Sequence, residues 1–162
     1  MTVKSSPFRV LGGKQSAGIL LYRNTNSILE VFLVHPGGPF FKNKDEGSWS
    51  IPKGEFLDDE EALTAAKREF EEETGQAIDG EFISLGTIRQ KSGKNVYAWA
   101  IEGDINHETI FSNTCEVEWP PRSGKKLTIP EIDRAAWFEV VEAKQKINPA
   151  QAELIDRLTA LI

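Results

Sequence analysis

Residues 54–76 constrain this chain more than any other segment, because they combine a helical apolar stripe with a crowded acidic face. The apolar residues recur at helical spacing and predict the core-facing side of an amphipathic helix; they are Ala62, Leu63, Ala66 and Phe70. Each residue advances about 100° around a helix, so Glu69, Glu72 and Glu73 share one face beside that stripe. The pattern therefore predicts a partly buried row of carboxylates.

The position of this row favours a metal site. Gly75 is predicted to end the helix, and acidic residues in the last turn oppose the helix dipole at a cost of about 0.3–1 kcal/mol. Like charges one turn apart also repel, and a divalent cation between them would remove that repulsion. The alternative is that these glutamates form a solvated acidic surface. Lys67 and Glu71 point away from the apolar stripe and are interpreted as a solvated pair four residues apart. Asp58 or Asp59 is predicted to cap the start of the helix.

The spacing of these residues resembles the sequence box of the Nudix hydrolase family. The motif is long and gapped at fixed intervals, so it is more specific than a lone glycine pattern. Its defined positions are filled by Gly54, Glu60, Arg68, Glu69, Phe70, Glu72, Glu73 and Gly75. Gln76 replaces an aliphatic residue of the family pattern, and Ile78 is expected to supply the missing apolar contact. Residues 49–54 resemble the entry to the box in MutT-like and diadenosine tetraphosphate hydrolases.

The resemblance implies a Nudix-type α/β/α sandwich, an α/β (α+β) fold with a mixed β-sheet. We expect residues 1–162 to form one such domain. Two strand pairs, over residues 16–22 with 28–34 and over residues 82–90 with 95–102, are predicted first. A long loop over residues 35–47, an irregular stretch including residues 119–126, a strand at 135–140 and a helix at 141–147 complete the pattern. Asn148 and Pro149 are predicted to begin a closing helix.

The resemblance also implies a metal site for Mg²⁺ or Mn²⁺. Its ligands would be the Gly54 carbonyl and the carboxylates of Glu69, Glu72 and Glu73, which suit cations that prefer oxygen ligands. Arg68 is expected to hold the carboxylates in place, because it lies four residues before Glu72 and a guanidinium can grip a carboxylate bidentately. A surface ion pair is the simpler interpretation of Arg68. Glu60 is a motif position that is either functional or purely structural.

The resemblance also implies an acidic residue outside the box, which acts either as another metal ligand or as the general base. Glu131 is the leading candidate, so the catalytic set is Arg68, Glu72 and Glu131. Glu116, Glu118 or one of the box glutamates is the alternative base. An exposed loop glutamate is often no more than a solvated charge, which is the competing interpretation of Glu131.

Substrate contacts are expected from cations and aromatic rings. Lys53 is the strongest phosphate-binding candidate because it adjoins the box, and Arg89, Lys91 and Lys94 follow it. Stacking on a base is predicted for Trp49, Phe40, Phe41 or Trp119, although each ring is equally suited to packing. His35, His107 and Cys115 are expected to be structural, since no nucleophile or basic partner accompanies them.

Composition limits the class of protein. The chain has 162 residues, of which 40% are apolar and 27% charged, as in an ordinary soluble domain. A net charge of −6 argues against sequence-independent binding of duplex nucleic acid, which requires Lys and Arg at phosphates. Cys115 is the single cysteine and excludes an intrachain disulfide. Residues 1–7 lack an apolar signal core and no apolar run is membrane-length, so we expect a cytoplasmic monomer or homodimer.

Three functions are consistent with these features. The first is divalent-metal-dependent hydrolysis of a pyrophosphate linkage in a nucleoside polyphosphate or other nucleoside diphosphate derivative. Dinucleoside polyphosphates and oxidised nucleoside triphosphates are the favoured substrates. The second is a non-catalytic Nudix-like module that binds a nucleotide or metabolite and regulates a partner. The third, a purely structural acidic domain, predicts no effect of metal on stability.

Overall fold

The computed structural model describes residues 15–162, and a mixed β-sheet organises them. Its strands are β1 (Gln15–Thr25), β2 (Ile28–Pro36), β3 (Lys53–Glu55), β4 (Ile83–Arg89), β5 (Asn95–Glu102) and β8 (Ile132–Glu139). They lie in the order β4-β5-β1-β2-β8, and β3 pairs with β1. Strands β1 and β5 are parallel, whereas the other pairs are antiparallel. The expected lack of a signal core concerns residues 1–7, outside the described range.

Helices cover both faces of this sheet. They are α1 (Ala62–Thr74), α2 (Val140–Lys146) and α3 (Ala152–Leu161). Helix α1 packs Phe70 against Ile19 and Leu21 of β1, while α2 and α3 pack against Leu20 and Tyr22 on the opposite face. The predicted α/β/α sandwich with a mixed sheet is therefore confirmed. No helix in residues 15–162 is long and apolar enough to cross a membrane.

The predicted β1–β2 hairpin is present. Its turn places Asn26 and Ser27 at φ values of 53° and 69°. Two consecutive residues with positive φ match the twist of the flanking strands, which is why Asn is favoured in such turns. Strand β1 is buried on both faces, so its sequence is a continuous apolar run rather than an alternating one.

A second hairpin occupies a stretch that the sequence was expected to leave irregular. Strands β6 (Thr114–Glu118) and β7 (Lys126–Pro130) form a separate two-stranded sheet. Apolar residues alternate with polar ones in both strands, at Cys115, Val117, Leu127 and Ile129, and this period of two was the available signal. The strands are short and mostly exposed, so the signal was weak.

The predicted cap of α1 is wrong at its start and correct at its end. Glu61 occupies the N-cap position without a side-chain hydrogen bond. The Asp58 carboxylate accepts a hydrogen bond from Gln15 Nε2 at 3.0 Å and lies before the cap. Gly75 ends the helix at φ 76°, and its N–H donates to the Glu71 carbonyl at 2.7 Å.

The closing helix begins later than predicted. The Asn148 carboxamide oxygen accepts the Ala150 N–H at 2.9 Å and caps a short 3₁₀ turn, Pro149–Gln151. Helix α3 follows this turn and buries Leu154, Ile155 and Leu158. The predicted contact of Ile78 is also present, because this residue packs against the apolar cluster beside α1.

Candidate active site: an arginine-held carboxylate cluster

Helix α1 presents Glu69, Glu72 and Glu73 beside strand β3. Together with Glu131, these residues are termed the carboxylate cluster. The Glu69 side chain is 9% exposed, and the Glu73 carboxylate accepts the Lys53 backbone N–H at 3.3 Å. Glu69 lies so close to Gly54 that a Cβ added there would approach its Oε1 to 2.0 Å. Only glycine leaves room for this contact, so the box glycine and the box helix are matched in shape.

The Arg68 guanidinium holds Glu69 and Glu72 in place, and its main partner is a third carboxylate, that of Glu60. Its Nε and Nη2 atoms each lie 2.9 Å from an oxygen of Glu60, which gives a bidentate pair. Its Nη1 atom donates to Glu69 Oε2 at 2.7 Å and to Glu72 Oε2 at 3.1 Å. Arg68 therefore contacts the carboxylates as expected, but its bidentate pair is with Glu60, and Glu72 receives a single hydrogen bond. These bonds, led by those to Glu60, raise the pKa of Arg68.

Burial and mutual repulsion act on the glutamates. Burial, followed by the charge of Glu69, raises the pKa of Glu73 to about 8, while Lys53 opposes the shift. Burial also raises the pKa of Glu69, and the Glu72 and Glu131 charges add to this effect against Arg68. The cluster thus carries a cost of negative charge that a bound cation would relieve.

Glu131 lies beside the box glutamates. The Asn113 N–H donates to the Glu72 carbonyl at 2.8 Å, and the Glu131 N–H donates to the Asn113 carbonyl at 2.9 Å. Burial, then the charge of Glu72, raises the pKa of the Glu131 carboxyl. The two competing candidates are exposed on β6, where Glu118 accepts the Gly124 N–H at 2.7 Å.

The predicted phosphate contacts lie in different environments. Lys53 is partly buried next to the cluster, and burial, followed by the nearby charge of Lys94, lowers its pKa. Lys94 itself pairs with Glu55 at 2.8 Å. Arg89 is exposed at the end of β4, opposite Asn95, and Lys91 is exposed in the following turn. The structure therefore brings Lys53 to the cluster and leaves Arg89 at a sheet edge.

Trp49 is a core residue, which corrects its expected role as a stacking surface. Its side chain is only 4% exposed, and its Nε1 atom donates to Asp45 Oδ1 at 2.8 Å. The ring packs edge-on against Phe138 at a centroid distance of 5.0 Å. An aromatic residue at the box entry gives the same sequence signal for packing as for stacking.

The histidine and cysteine predictions agree with the structure. His35 is fully buried, with Nδ1 at 2.9 Å from Asp133 Oδ1 and Nε2 at 2.7 Å from the Lys44 carbonyl. It ties the loop after β2 to β8. Burial, followed by the charge of Glu131, raises the pKa of the Cys115 thiol and makes it a poorer nucleophile.

Two further residues help to build the site: the role of Glu60 was left open by the sequence, and Asn113 was not predicted. Glu60 anchors Arg68, and its place in the box spacing was the available signal. Asn113 joins Glu72 to Glu131 through backbone hydrogen bonds. A backbone link of this kind depends on tertiary pairing and carries no side-chain signal.

The donor set fits a hard divalent cation. Within residues 15–162, no three acidic, histidine or cysteine side chains already form a closed metal cage. Mg²⁺ usually keeps several waters and is completed by substrate phosphates, so a preformed protein cage is not required. The close approach of Glu69 to Gly54 and the raised pKa of Glu73 both favour a cation at this edge of α1.

Comparison with known proteins places this geometry in a family. A family model described as NUDIX domain matches residues 13–158. No curated protein sequence matches the chain significantly.

Among solved structures, the NUDIX domain of Shewanella oneidensis NrtR complexed with ADP ribose has a TM-score of 0.64 at 16% identity, with 93% of this chain and 88% of that chain covered. A C. elegans Ap4A hydrolase has a TM-score of 0.60 at 20% identity, with 91% of this chain and 96% of that chain covered. A Listeria innocua MutT/nudix family protein has a TM-score of 0.57 at 16% identity, with 91% of this chain and 92% of that chain covered. These likenesses show a shared fold, and the family model covers most of the chain. The chain therefore belongs to the Nudix domain family of nucleotide pyrophosphohydrolases.

Proposed function

We propose that this protein hydrolyses a pyrophosphate linkage in a nucleoside polyphosphate or other nucleoside diphosphate derivative, and that the reaction requires Mg²⁺ or Mn²⁺. The observation that supports this most directly is the cluster of Glu69, Glu72, Glu73 and Glu131. Arg68 holds Glu69 and Glu72 in place, and burial, together with neighbouring carboxylates, raises the pKa of Glu69 and Glu73. A divalent cation would offset the cost of placing these charges together.

The roles follow from the contacts. Glu69, Glu72, Glu73 and the Gly54 carbonyl would hold the cation, which when bound neutralises phosphate oxygens and lowers the pKa of water. Arg68 orients Glu69 and Glu72 by hydrogen bonds from one nitrogen. These bonds fix the carboxylates before substrate arrives.

Glu131 is the proposed general base, and a carboxylate oxygen of this residue would accept the proton of the attacking water. Its raised pKa brings it nearer to neutral pH, where a general base is most effective. Lys53 lies next to the cluster and is proposed to offset charge on the substrate phosphates. A lysine with a partly buried stem supplies this charge close to the reacting bond.

The favoured substrates are dinucleoside polyphosphates and oxidised nucleoside triphosphates. This preference rests on the sequence of residues 49–54, and the likeness to a C. elegans protein named Ap4A hydrolase agrees with it. Net charge supports a free nucleotide over duplex nucleic acid, because the chain carries −6 overall.

The alternative is a regulatory module that binds a nucleotide or metabolite without cleaving it. The likeness to the NUDIX domain of NrtR in complex with ADP ribose is the observation that favours it. A binding role does not require Glu69, Glu72, Glu73 and Glu131 together, so the complete carboxylate cluster favours hydrolysis.

The deciding experiment measures product formation by chromatography. The panel contains diadenosine tetraphosphate, 8-oxo-dGTP, ordinary nucleoside triphosphates, ADP-ribose and NADH, each with Mg²⁺, Mn²⁺ or EDTA. We expect metal-dependent cleavage of at least one compound, and a loss of roughly 10²–10³-fold in Glu72→Gln from removing one charge-stabilising group. Glu71→Gln is the matched control, because Glu71 is the exposed neighbour on the same helix. Turnover that survives both Glu72→Gln and Glu73→Gln would contradict the assignment.

A further inference from the structure

An apolar cleft lies outside the carboxylate cluster, between the loop after β2 and the β6–β7 hairpin. Its volume is about 310 Å³, and aromatic and aliphatic side chains supply most of its surface. The side chains that matter here are Phe40, Phe41, Val117, Trp119 and Ile129. This space, termed the aromatic cleft, is at the lower end of the range for small-molecule sites, about 300–1,000 Å³.

A continuous row of backbone hydrogen bonds connects the aromatic cleft to the box helix. The Asn113 N–H donates to the Glu72 carbonyl, the Glu131 N–H to the Asn113 carbonyl, and the Gly37 N–H to the Glu131 carbonyl. Gly37 lines the cleft. Hydrogen-bonded chains lie about 4.8 Å apart, so three such steps separate the cleft wall from the α1 backbone by at most about 14 Å. Glu131 lies between the two.

The lining is suited to a flat aromatic group. Phe40 is 60% exposed, although large apolar side chains are usually buried. Its ring meets Phe41 edge-on at a centroid distance of 4.9 Å, and Lys44 Nζ lies 3.8 Å from its centroid. Trp119 is partly exposed on the opposite side of the cleft. Exposed aromatic rings that face one cleft are the usual means of holding a base by stacking.

We propose that the aromatic cleft binds the nucleobase of the substrate, with Phe40 and Trp119 as the contacting residues. The phosphates would then extend past Glu131 to the carboxylate cluster. An extended nucleoside diphosphate has a length comparable with the separation between cleft and cluster. This inference rests on the proposed function, because it takes the substrate to be a nucleotide.

The test compares two probes that share a triphosphate chain, only one of which carries a nucleoside. ATP or GTP and, in a separate experiment, tripolyphosphate are titrated into the protein with Mg²⁺, and binding is measured by calorimetry. Every protein carries Glu72→Gln to prevent turnover. We expect Phe40→Ala and Trp119→Ala each to weaken nucleotide binding about tenfold, the scale of losing one stacked base. Binding of tripolyphosphate should not change. Trp119→Phe should retain most of the nucleotide affinity, because a ring remains.

Phe111→Ala is the matched control. Phe111 is 80% exposed, yet it lies at the end of α1 and outside the aromatic cleft. It should alter neither affinity, and melting temperatures of all variants check that they fold. The proposal is overturned if Phe40→Ala and Trp119→Ala bind nucleotide with the affinity of the parent, or if they lose affinity equally for nucleotide and for tripolyphosphate.

Turnover separates this proposal from the proposed function. If the unaltered protein cleaves a nucleotide and the cleft variants keep its KM, hydrolysis stands and the base site is wrong. If no nucleotide is cleaved but the cleft variants lose affinity, the base site stands and hydrolysis is wrong. If Phe40→Ala dissociates a dimer without changing nucleotide affinity, the cleft is a subunit interface and the proposal falls.

Discussion

Glu73 illustrates, at the scale of one residue, how the fold prepares the cluster for a cation. Burial and the charge of Glu69 raise its pKa to about 8, against the partial compensation from Lys53. The folded protein therefore keeps a proton on this carboxyl at pH values where the unfolded chain has lost it. A proton bound only in the folded state stabilises that state at low pH.

The metal-free protein should lose stability as pH rises from about 4.5, the ordinary value for this carboxyl, to about 8. The sign follows because the folded state binds more protons than the unfolded state across this range, so the free energy of unfolding falls with pH. Glu73→Gln should make the decline smaller, since an amide does not titrate, and the raised pKa values of Glu69 and Glu131 account for the remainder.

Urea unfolding in EDTA at several pH values measures this slope. Glu71→Gln should retain the slope of the parent, because Glu71 is exposed on the same helix. An unchanged slope in Glu73→Gln would show that another group titrates.

Helix α1 illustrates, at the scale of one element, how a helix is joined to the chain before it. Arg68 lies on the helix, whereas Glu60 lies in the preceding turn, and two hydrogen bonds connect them. The same guanidinium reaches Glu69 and Glu72. The orientation of Glu69 and Glu72, two of the three glutamates on the acidic face, thus depends on one arginine.

Arg68→Lys should lower kcat by about tenfold or more, because lysine keeps the charge but lacks the planar fork. Glu60→Gln should reproduce much of this loss, and the double variant should be less impaired than the sum of the two. A coupling of about 0.5–3 kcal/mol in urea unfolding is expected for residues in direct contact.

The control is the exposed pair that Lys67, on the same helix, forms with Asp79, which lies beyond the C-terminal end of that helix, with 3.1 Å between Nζ and Oδ1. Removing it should have little effect, as for most surface pairs. If the losses of stability and kcat caused by Arg68→Lys and Glu60→Gln were additive, the contact between the two residues would be no more than an ordinary surface ion pair.

The sequence predicted elements whose determinants are local. The spacing of residues 54–76 predicted α1, its shared glutamate face and its end at Gly75. It did not predict that Arg68 would prefer Glu60 to Glu72, because both partners are within reach of a helix arginine. Trp49 was misassigned because burial depends on the β2–β8 pair and α2, which are distant in sequence.

The β6–β7 hairpin was missed for a related reason. Its strands pair only with each other among the described elements, so little of their surface is buried by the main sheet. The closeness of Glu131 to Glu72 likewise depends on Asn113, which joins them through the backbone. Contacts of this kind exist only after distant segments have paired.

At the scale of the whole molecule, metal binding and folding should be coupled. A cation bound only by the folded state adds about 2.7 kcal/mol when its concentration is 100 times Kd. For a domain of this size, this corresponds to a rise in Tm of roughly 5–10 °C. Saturating Mg²⁺ should therefore raise the Tm of the parent protein.

Thermal unfolding with MgCl₂, and with NaCl at equal ionic strength, measures this rise. NaCl controls for simple screening of the net charge of −6. A variant with both Glu69→Gln and Glu72→Gln should lose the part of the rise in Tm that MgCl₂ gives and NaCl does not. An equal rise in that variant would indicate a diffuse acidic surface and support the structural interpretation.

The hydrogen bond between Asn113 and Glu131 has a consequence for the diversification of this enzyme. The β6–β7 hairpin leaves the body of the protein after Asn113 and returns at Glu131, so its two ends meet at a contact of 2.9 Å. A segment whose ends are already closed can change in length or composition at little entropic cost to the remainder of the fold. One wall of the aromatic cleft thus belongs to a segment that can vary in length and composition while Glu69, Glu72 and Glu73 keep their places on α1.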